Sequence, residues 1–251
     1  MQPHPDLPLI QLFDPVSSTF SYLLFDPVSR EAAMIDPVLE QVERDLAAIA
    51  EHGLTLRWCI ETHAHADHVT GTGRLALQLG AQTAAPTHCE IPVAEHQVVD
   101  GDVLRFGAES MTALLTPGHT VGSTCYLWQH AGRHVLFSGD TLLIEGCGRT
   151  DFQGGGAKAL YRSITQRLFT LPDDTLVFPG HDYKGRTESS IGHEKRHNPR
   201  LAGRSEAEFV AIMDALNLPR PKLIDVAVPA NRRLGLGEGE HYARQVAGGG
   251  A

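Results

Sequence analysis

This sequence lacks features that are typical of membrane proteins, nucleic-acid-binding proteins and secreted proteins. No apolar run approaches the roughly eighteen residues that a membrane-spanning helix needs, so we expect no membrane association. The formal net charge of the 251 residues is −9, which leaves a nucleic-acid partner without the basic surface that phosphate binding requires. Residues 1–6 lack the basic segment and apolar core of a secretory signal, and we therefore expect a cytoplasmic protein.

Cysteine is scarce and widely spaced. The four cysteines form no C-x-x-C pair, and they are Cys59, Cys89, Cys125 and Cys147. This spacing favours reduced thiols over a disulfide framework.

The chain is long enough to bury one sizeable core, and its hydrophobic residues make up 42% of the sequence. We predict a single domain over residues 1–251, with its core at about 8–236 and a helical part from about 186. Residues 1–7 and the glycine-rich tail Ala247–Ala251 are expected to be poorly ordered, because they can bury little.

A dense cluster of metal-binding residue types is present at residues 62–68. The segment reads T-H-A-H-A-D-H and carries His63, His65, Asp67 and His68 directly after a short strand-like run. A loop that caps the following helix does not require three imidazoles and a carboxylate within six residues. Histidine and aspartate are ligands of first-row transition metals, and a strand end can aim several of them at one point.

Three later strand-like runs also end at a metal-binding side chain, and these side chains are His119, Asp140 and His181. Helical periodicity lies between the groups of strands, which predicts two sheets covered by outer helices. We therefore expect the four strand ends to meet in one cleft.

The local patterns predict the following elements. Strands are expected at residues 19–25, 32–35, 56–62, 83–85, 102–106, 111–115, 124–128, 134–138 and 175–178, and helices at 39–52, 71–79, 156–171 and 207–216. Ser205 and Glu208 match a capping box at the start of the last helix.

The order H-x-H-x-D-H, P-G-H-T, G-D-T and P-G-H-D resembles the metallo-β-lactamase superfamily over about residues 19–183. A narrower resemblance, to the persulfide dioxygenases, runs over about residues 15–236. It is carried by G-C-G-R-T-D-F-Q at 146–153, H-D-Y at 181–183, N-P-R-L at 198–201, L-N-L-P at 216–219 and V-P-A-N at 228–231. The resemblance implies an αββα sandwich, in which helices flank two mixed sheets and the active site lies at one sheet edge.

The persulfide dioxygenase resemblance also implies a reaction. Members oxidise glutathione persulfide with O2 to sulfite and glutathione in sulfide oxidation, using one Fe(II) per chain. The implied iron ligands are His63, His119 and Asp140, a two-histidine, one-carboxylate set that leaves open positions for persulfide sulfur and O2.

Further residues receive roles around that iron. We assign His181, Asp67, His68 and Tyr183 to catalysis, the first three as groups that orient the iron ligands. We assign Tyr183, Arg200, Cys147 and Arg149 to substrate binding, with Arg200 gripping a carboxylate of glutathione. Arg149 also pairs with Asp151 in our interpretation, which would fix the loop after Asp140.

The main alternative is glyoxalase II, a thioester hydrolase of the same superfamily with a binuclear metal site. Its ligands are all present: His63, His65 and His119 for one metal, Asp67, His68 and His181 for the other, and Asp140 as the bridge. Ligand identity alone does not separate the two enzymes. A non-catalytic scaffold is a third reading, but such proteins usually lose ligands and this chain has kept them.

Two points stay open at this stage. The oligomeric state is undetermined, and a homodimer is one of the states we consider. Ala64 occupies a position where the animal members of the resembled family have cysteine, and we interpret this as a subfamily difference that leaves the iron ligands intact.

Overall fold

The computed structural model describes residues 1–237 and residue 240, and it is built in four layers. Two β-sheets pack face to face, and helices cover the outer face of each sheet. This is the αββα architecture with two mixed sheets that the sequence predicts.

The first sheet has seven strands in sequential order. Its strands are β1 (Gln2–Pro3), β2 (Leu9–Asp14), β3 (Thr19–Phe25), β4 (Glu31–Ile35), β5 (Thr55–Ile60), β6 (Gln82–Pro86) and β7 (His96–Val98). Strands β1 to β4 are antiparallel, whereas β4 to β7 run parallel to one another.

The second sheet has six strands, again in sequential order from edge to edge. Its strands are β8 (Val103–Phe106), β9 (Glu109–Leu115), β10 (Thr124–His130), β11 (Arg133–Gly139), β12 (Leu176–Pro179) and β13 (Ser189–Ser190). Only the pair β11 and β12 is parallel.

Six α-helices lie in the described part of the chain, and none of them is long and apolar enough to cross a bilayer. They are α1 (Val42–Glu51), α2 (Thr72–Leu79), α3 (Ala157–Gln166), α4 (Ile191–His197), α5 (Glu206–Asp214) and α6 (Ile224–Asn231). Short 3₁₀ helices occupy Leu39–Gln41, Thr87–Cys89 and Leu168–Thr170.

The core between the sheets is built from large side chains of both. Tyr22 and Trp128 are among those that are almost fully buried, and Tyr22 packs against Phe137 with ring centroids 5.0 Å apart. A second apolar cluster joins α1 and α2 to the first sheet, and a third joins α3, α4 and α5 to the second sheet. Each sheet therefore buries both faces, which stabilises the sandwich.

Most predicted elements are confirmed with boundaries shifted by a few residues. The strand at Thr19–Phe25 has the predicted limits, and Ser205 and Glu208 form the complete capping box at α5. The expectation of disorder at residues 1–7 is wrong, because Gln2 and Pro3 pair with β2 and Leu7 is buried. The tail Ala247–Ala251 lies outside the described residues.

Six strands and helices were not predicted, namely β1, β2, β7, β13, α4 and α6, and two of them have a physical reason. Strand β2 is buried on both faces and so lacks the alternation that marks a half-exposed strand. Helix α6 contains Pro229, which removes a backbone N–H and argues against a helix in the sequence.

Helix α6 is fastened to the histidine-rich loop by one buried side chain. Asn231 accepts a hydrogen bond from the backbone N of Thr70 at 2.8 Å. It also donates to the carbonyls of His65 and His68, each at 2.9 Å. The C-terminal part of the chain therefore holds the loop that follows β5.

Replacing Asn231 with alanine should lower the free energy of unfolding by about 1–3 kcal/mol, since the buried partners would lose their hydrogen bonds. Urea unfolding measures the loss. Asn217→Ala is the matched control because Asn217 is exposed. Equal stability of the two variants would show that the hydrogen bonds of Asn231 to the histidine-rich loop do not stabilise the fold.

Candidate metal centre and substrate cavity

Three ligand-type side chains converge where β5, β9 and β11 end. One ligand atom from each of His63, His119 and Asp140 lies within 4.8 Å of the other two. His119 Nε2 is 3.6 Å from Asp140 Oδ2, and the rings of His63 and His119 are nearly perpendicular with centroids 4.8 Å apart. Two imidazoles and one carboxylate suit a first-row transition metal, so these residues form a candidate metal centre.

The imidazole of His119 is oriented by the backbone. Its Nδ1 lies 2.8 Å from the carbonyl oxygen of Arg149, which only accepts hydrogen bonds. Nδ1 therefore carries the proton, and the lone pair of Nε2 faces Asp140. Gly148 permits this approach, because a Cβ there would lie 2.7 Å from His119 Nδ1.

His181 bridges two carboxylates. Its Nδ1 lies 2.6 Å from Asp140 Oδ1 and its Nε2 lies 2.9 Å from Asp67 Oδ2. Burial by itself would lower the pKa of His181, but the two carboxylates raise it well above its ordinary value. Burial likewise opposes the charge on Asp140, yet His181, followed by His119 and His63, holds its pKa well below the usual range. In this bridge Asp67 and Asp140 are negatively charged and His181 is positively charged. Asp140 Oδ2 remains available to a metal.

A second group of potential ligands lies beside the first. Ligand atoms of His65, Asp67 and His68 lie within 4.8 Å of one another. His65 Nδ1 and His68 Nε2 are buried and, among the described residues, have no hydrogen-bond partner. A second metal ion would satisfy such nitrogens, so this donor set fits a binuclear centre as well as the first group fits a single ion.

The other ring nitrogen of His65 lies close to two buried carboxylates. His65 Nε2 is 3.1 Å from Asp36 Oδ1 and 3.3 Å from Glu61 Oε2, and all three side chains are buried. Burial would lower the pKa of His65, but these two carboxylates raise it well above its ordinary value.

A cavity of about 550 Å³ opens in front of the candidate metal centre. This volume is within the range of small-molecule sites in proteins. The predicted site residues on its wall are Asp67, His119, Asp140, Cys147, Arg149, His181, Tyr183 and Arg200. His63, His65 and His68 are not on the wall and are buried.

Tyr183 and Cys147 differ in accessibility. Tyr183 is 73% exposed, and its ring stacks parallel to His181 with centroids 5.9 Å apart. Cys147 is buried, and burial raises the pKa of its thiol despite the nearby guanidinium of Arg200. A phenol that can meet solvent molecules or substrate therefore stands at the mouth, while the thiol is part of the wall.

The arginines on the wall differ in how fully they are paired. Arg149 donates to both carboxylate oxygens of Asp151 at 2.7 Å and to the carbonyl of Pro219 at 2.7 Å, so its guanidinium braces the wall. Arg200 donates through Nη1 to the carbonyl of Cys147 at 2.7 Å. Within the described part of the chain, Nε and Nη2 of Arg200 make no hydrogen bond, and that edge is free for an anion.

Several residues at the site were not singled out from the sequence, among them Thr19, Gln153, Asp36 and Glu61. The hydroxyl of Thr19 lies 3.1 Å from His181 Nε2 and 3.2 Å from Asp67 Oδ2. Gln153 donates to the carbonyl of Ala64 at 2.7 Å from the cavity wall. Asp36, at the end of β4, contacts His65 and Thr62. Asp36 and Glu61 had a usable signal, since each is a carboxylate that follows an apolar strand.

Ala64 turns its side chain away from the cavity. It is 3% exposed and belongs to a small apolar cluster with Ala85, Cys89 and Ile91. With alanine at this position, the ligand atoms of His63, His119 and Asp140 lie within 4.8 Å of one another.

Comparison with known proteins agrees with this geometry. The family model of the metallo-beta-lactamase superfamily matches residues 14–181. The human protein "Persulfide dioxygenase ETHE1, mitochondrial" is 49% identical over 228 residues, which are 91% of this chain and 89% of that protein. The crystal structure of ETHE1 from Myxococcus xanthus is 54% identical and superimposes with a TM-score of 0.88, covering 91% of this chain and 99% of that one.

A hydrolase relative matches over a shorter length. A hydroxyacylglutathione hydrolase from a Polaromonas species is 38% identical over 167 residues, covering 65% of this chain and 62% of that protein.

The two packed sheets and the metal-ligand cluster at their edge define a metallo-β-lactamase fold protein. Within that superfamily, the chain belongs to the persulfide dioxygenase family.

Proposed function

We propose that this chain is an Fe(II)-dependent dioxygenase that oxidises glutathione persulfide, with O2 and water, to sulfite and glutathione. The observation that supports the proposal most is the convergence of His63, His119 and Asp140 at a cavity of about 550 Å³, in a chain of the persulfide dioxygenase family. Membership of the family indicates which reaction is catalysed, and the ligand set suits the metal that this reaction needs.

His63, His119 and Asp140 would hold one iron ion per chain. When bound, the iron would supply the redox chemistry that a reaction with O2 requires. The protein groups around it have the separate task of holding the ligands and the substrate in place.

His181 and Asp67 keep Asp140 in position. His181 holds Asp140 Oδ1 at 2.6 Å and is held by Asp67 at 2.9 Å, so the carboxylate cannot rotate freely. His68 steadies Asp67 through a contact of 2.9 Å to its Oδ2. These three residues therefore act on the metal through Asp140.

The substrate end of the cavity is formed by Tyr183 and Arg200. The exposed phenol of Tyr183 can donate a hydrogen bond to glutathione, and the free edge of Arg200 can grip a carboxylate. An anionic tripeptide approaching a chain of charge −9 needs such a local cation.

A second candidate is a binuclear thioester hydrolase of the glyoxalase II type. The observation that favours it is a pair of buried nitrogens, His65 Nδ1 and His68 Nε2, which have no hydrogen-bond partner among the described residues and which the two metals of such a centre would engage. Against it stands the bridge from Asp67 through His181 to Asp140, which occupies both ring nitrogens of His181.

The two candidates differ in what they consume. With glutathione persulfide, the dioxygenase should take up O2 and release sulfite, and O2 uptake in an electrode chamber measures this. Brisk hydrolysis of lactoylglutathione without persulfide-dependent O2 uptake would contradict the dioxygenase proposal and support the hydrolase.

We keep the cytoplasm as the proposed location. All four cysteines are buried and unpaired, which is compatible with a reducing compartment. The homodimer stays a prediction.

His181→Ala should leave the iron content near one per chain and lower activity about 10- to 100-fold, because orientation of Asp140 is lost while the ligands remain. Metal analysis and O2 uptake on the same preparation measure the two effects. The exposed His197, replaced by alanine, is the control and should match the parent. Loss of most of the iron in His181→Ala would contradict this prediction and indicate that His181 is a metal ligand.

Arg200→Ala should mainly raise KM, because Arg200 contacts the part of the substrate remote from the reacting sulfur. Losing a charged hydrogen bond costs about 1.5–3 kcal/mol, or roughly ten- to more than a hundredfold in kcat/KM. Arg196→Ala serves as the control, since Arg196 is exposed and absent from the cavity wall. Parent-like kinetics of Arg200→Ala at low substrate would remove Arg200 from the site.

A further inference from the structure

The hydroxyl of Thr62 lies between a buried carboxylate and a proposed metal ligand. Thr62 Oγ1 is 2.7 Å from Asp36 Oδ2 and 2.9 Å from His63 Nδ1. The backbone N–H of Thr62 donates to Asp36 Oδ1 at 2.7 Å, which fixes the carboxylate in place. Thr62 and Asp36 are 1% and 2% exposed, so water does not compete for these contacts.

These contacts determine where the proton of His63 resides. A hydroxyl has one proton to donate, and the Asp36 carboxylate accepts it. The oxygen of Thr62 can then only accept from the imidazole, so Nδ1 of His63 carries the hydrogen. The lone pair of His63 is consequently on Nε2, the nitrogen left for a metal.

The surrounding backbone is built around this arrangement. Asp36 has a φ of +48°, an uncommon left-handed conformation that places its carboxylate beyond the end of β4. Since β4 and β5 are parallel neighbours that pair Ile35 with Ile60, the carboxylate lies beside Thr62. Gly139 keeps the space open, because a Cβ there would lie 2.7 Å from Thr62 Oγ1.

We propose that Thr62 and Asp36 are positioning residues that hold His63 in the Nδ1-protonated tautomer, so that Nε2 is presented to the metal before the metal binds. The inference rests on the proposed role of His63 as a metal ligand. Neither residue is on the wall of the substrate cavity. Thr62 acts through His63, whereas Asp36 holds Thr62 and also lies 3.1 Å from His65 Nε2.

The tautomer can be measured in the parent protein without any change to Thr62. Nitrogen NMR spectroscopy of histidine-labelled, metal-free protein distinguishes a protonated ring nitrogen from a bare one, and His63→Asn assigns the signals. We expect a protonated Nδ1 and a bare Nε2. A protonated Nε2 would overturn the proposal.

The effect on the metal is tested with Co2+ as the probe ion, by competition with a coloured chelator. Thr62→Val keeps the side-chain volume but removes the hydroxyl, and it should weaken Co2+ binding about 10- to 100-fold, whereas Thr62→Ser should retain most of the affinity. Thr175→Val is the matched control, because the Thr175 hydroxyl is buried and has no hydrogen-bond partner in the described part of the chain.

Thr62→Val and Thr175→Val with equal affinities for Co2+ would contradict the proposal, as would a Thr62→Ser variant as weak as Thr62→Val. Neither experiment involves persulfide or O2. A chain that failed to oxidise persulfide would therefore overturn the proposed function while leaving the tautomer result to be decided on its own evidence.

Discussion

The bridge from Asp67 through His181 to Asp140 is the interaction on which the candidate site depends most. Asp67 belongs to the loop after β5 in the first sheet, whereas Asp140 and His181 follow β11 and β12 in the second. Buried charges are costly unless they are paired and hydrogen-bonded, and here a protonated imidazole pairs with both carboxylates. The bridge thereby joins the two sheets at the edge that carries the candidate metal centre.

The bridge determines which oxygen of Asp140 faces the other proposed metal ligands. Because His181 occupies Asp140 Oδ1, the other carboxylate oxygen points toward His119. Backbone and hydroxyl contacts orient His119 and His63, and the cavity lies on the open side of the three ligands. In the proposed function, substrate recognition belongs to residues farther along the wall, among them Arg200, whose Nη1 donates to the carbonyl of Cys147.

Much of this arrangement could be predicted from the sequence, because its signals are local. Strand-like runs that end at His63, His119, Asp140 and His181 indicated that these residues meet, and they do. The αββα layering followed from the order of strand and helix patterns together with the family resemblance.

The remaining features depend on contacts between distant parts of the chain. Thr19 reaches His181 across 162 positions of sequence, and no local pattern reveals such a contact. The pairing of His65 with Asp36 and Glu61, and the tautomer of His63, depend on which way each ring turns in the folded protein. Helix α6 forms despite Pro229, because Asn231 and neighbouring apolar residues are buried against the rest of the fold.

The central claim is that one iron ion is held by His63, His119 and Asp140, and metal analysis of anaerobically purified protein tests it most directly. Inductively coupled plasma mass spectrometry should find about one iron per chain, and adding Fe(II) after chelation should restore activity. Two zinc ions per chain, with activity restored by zinc alone, would contradict the claim and assign the site to the hydrolase.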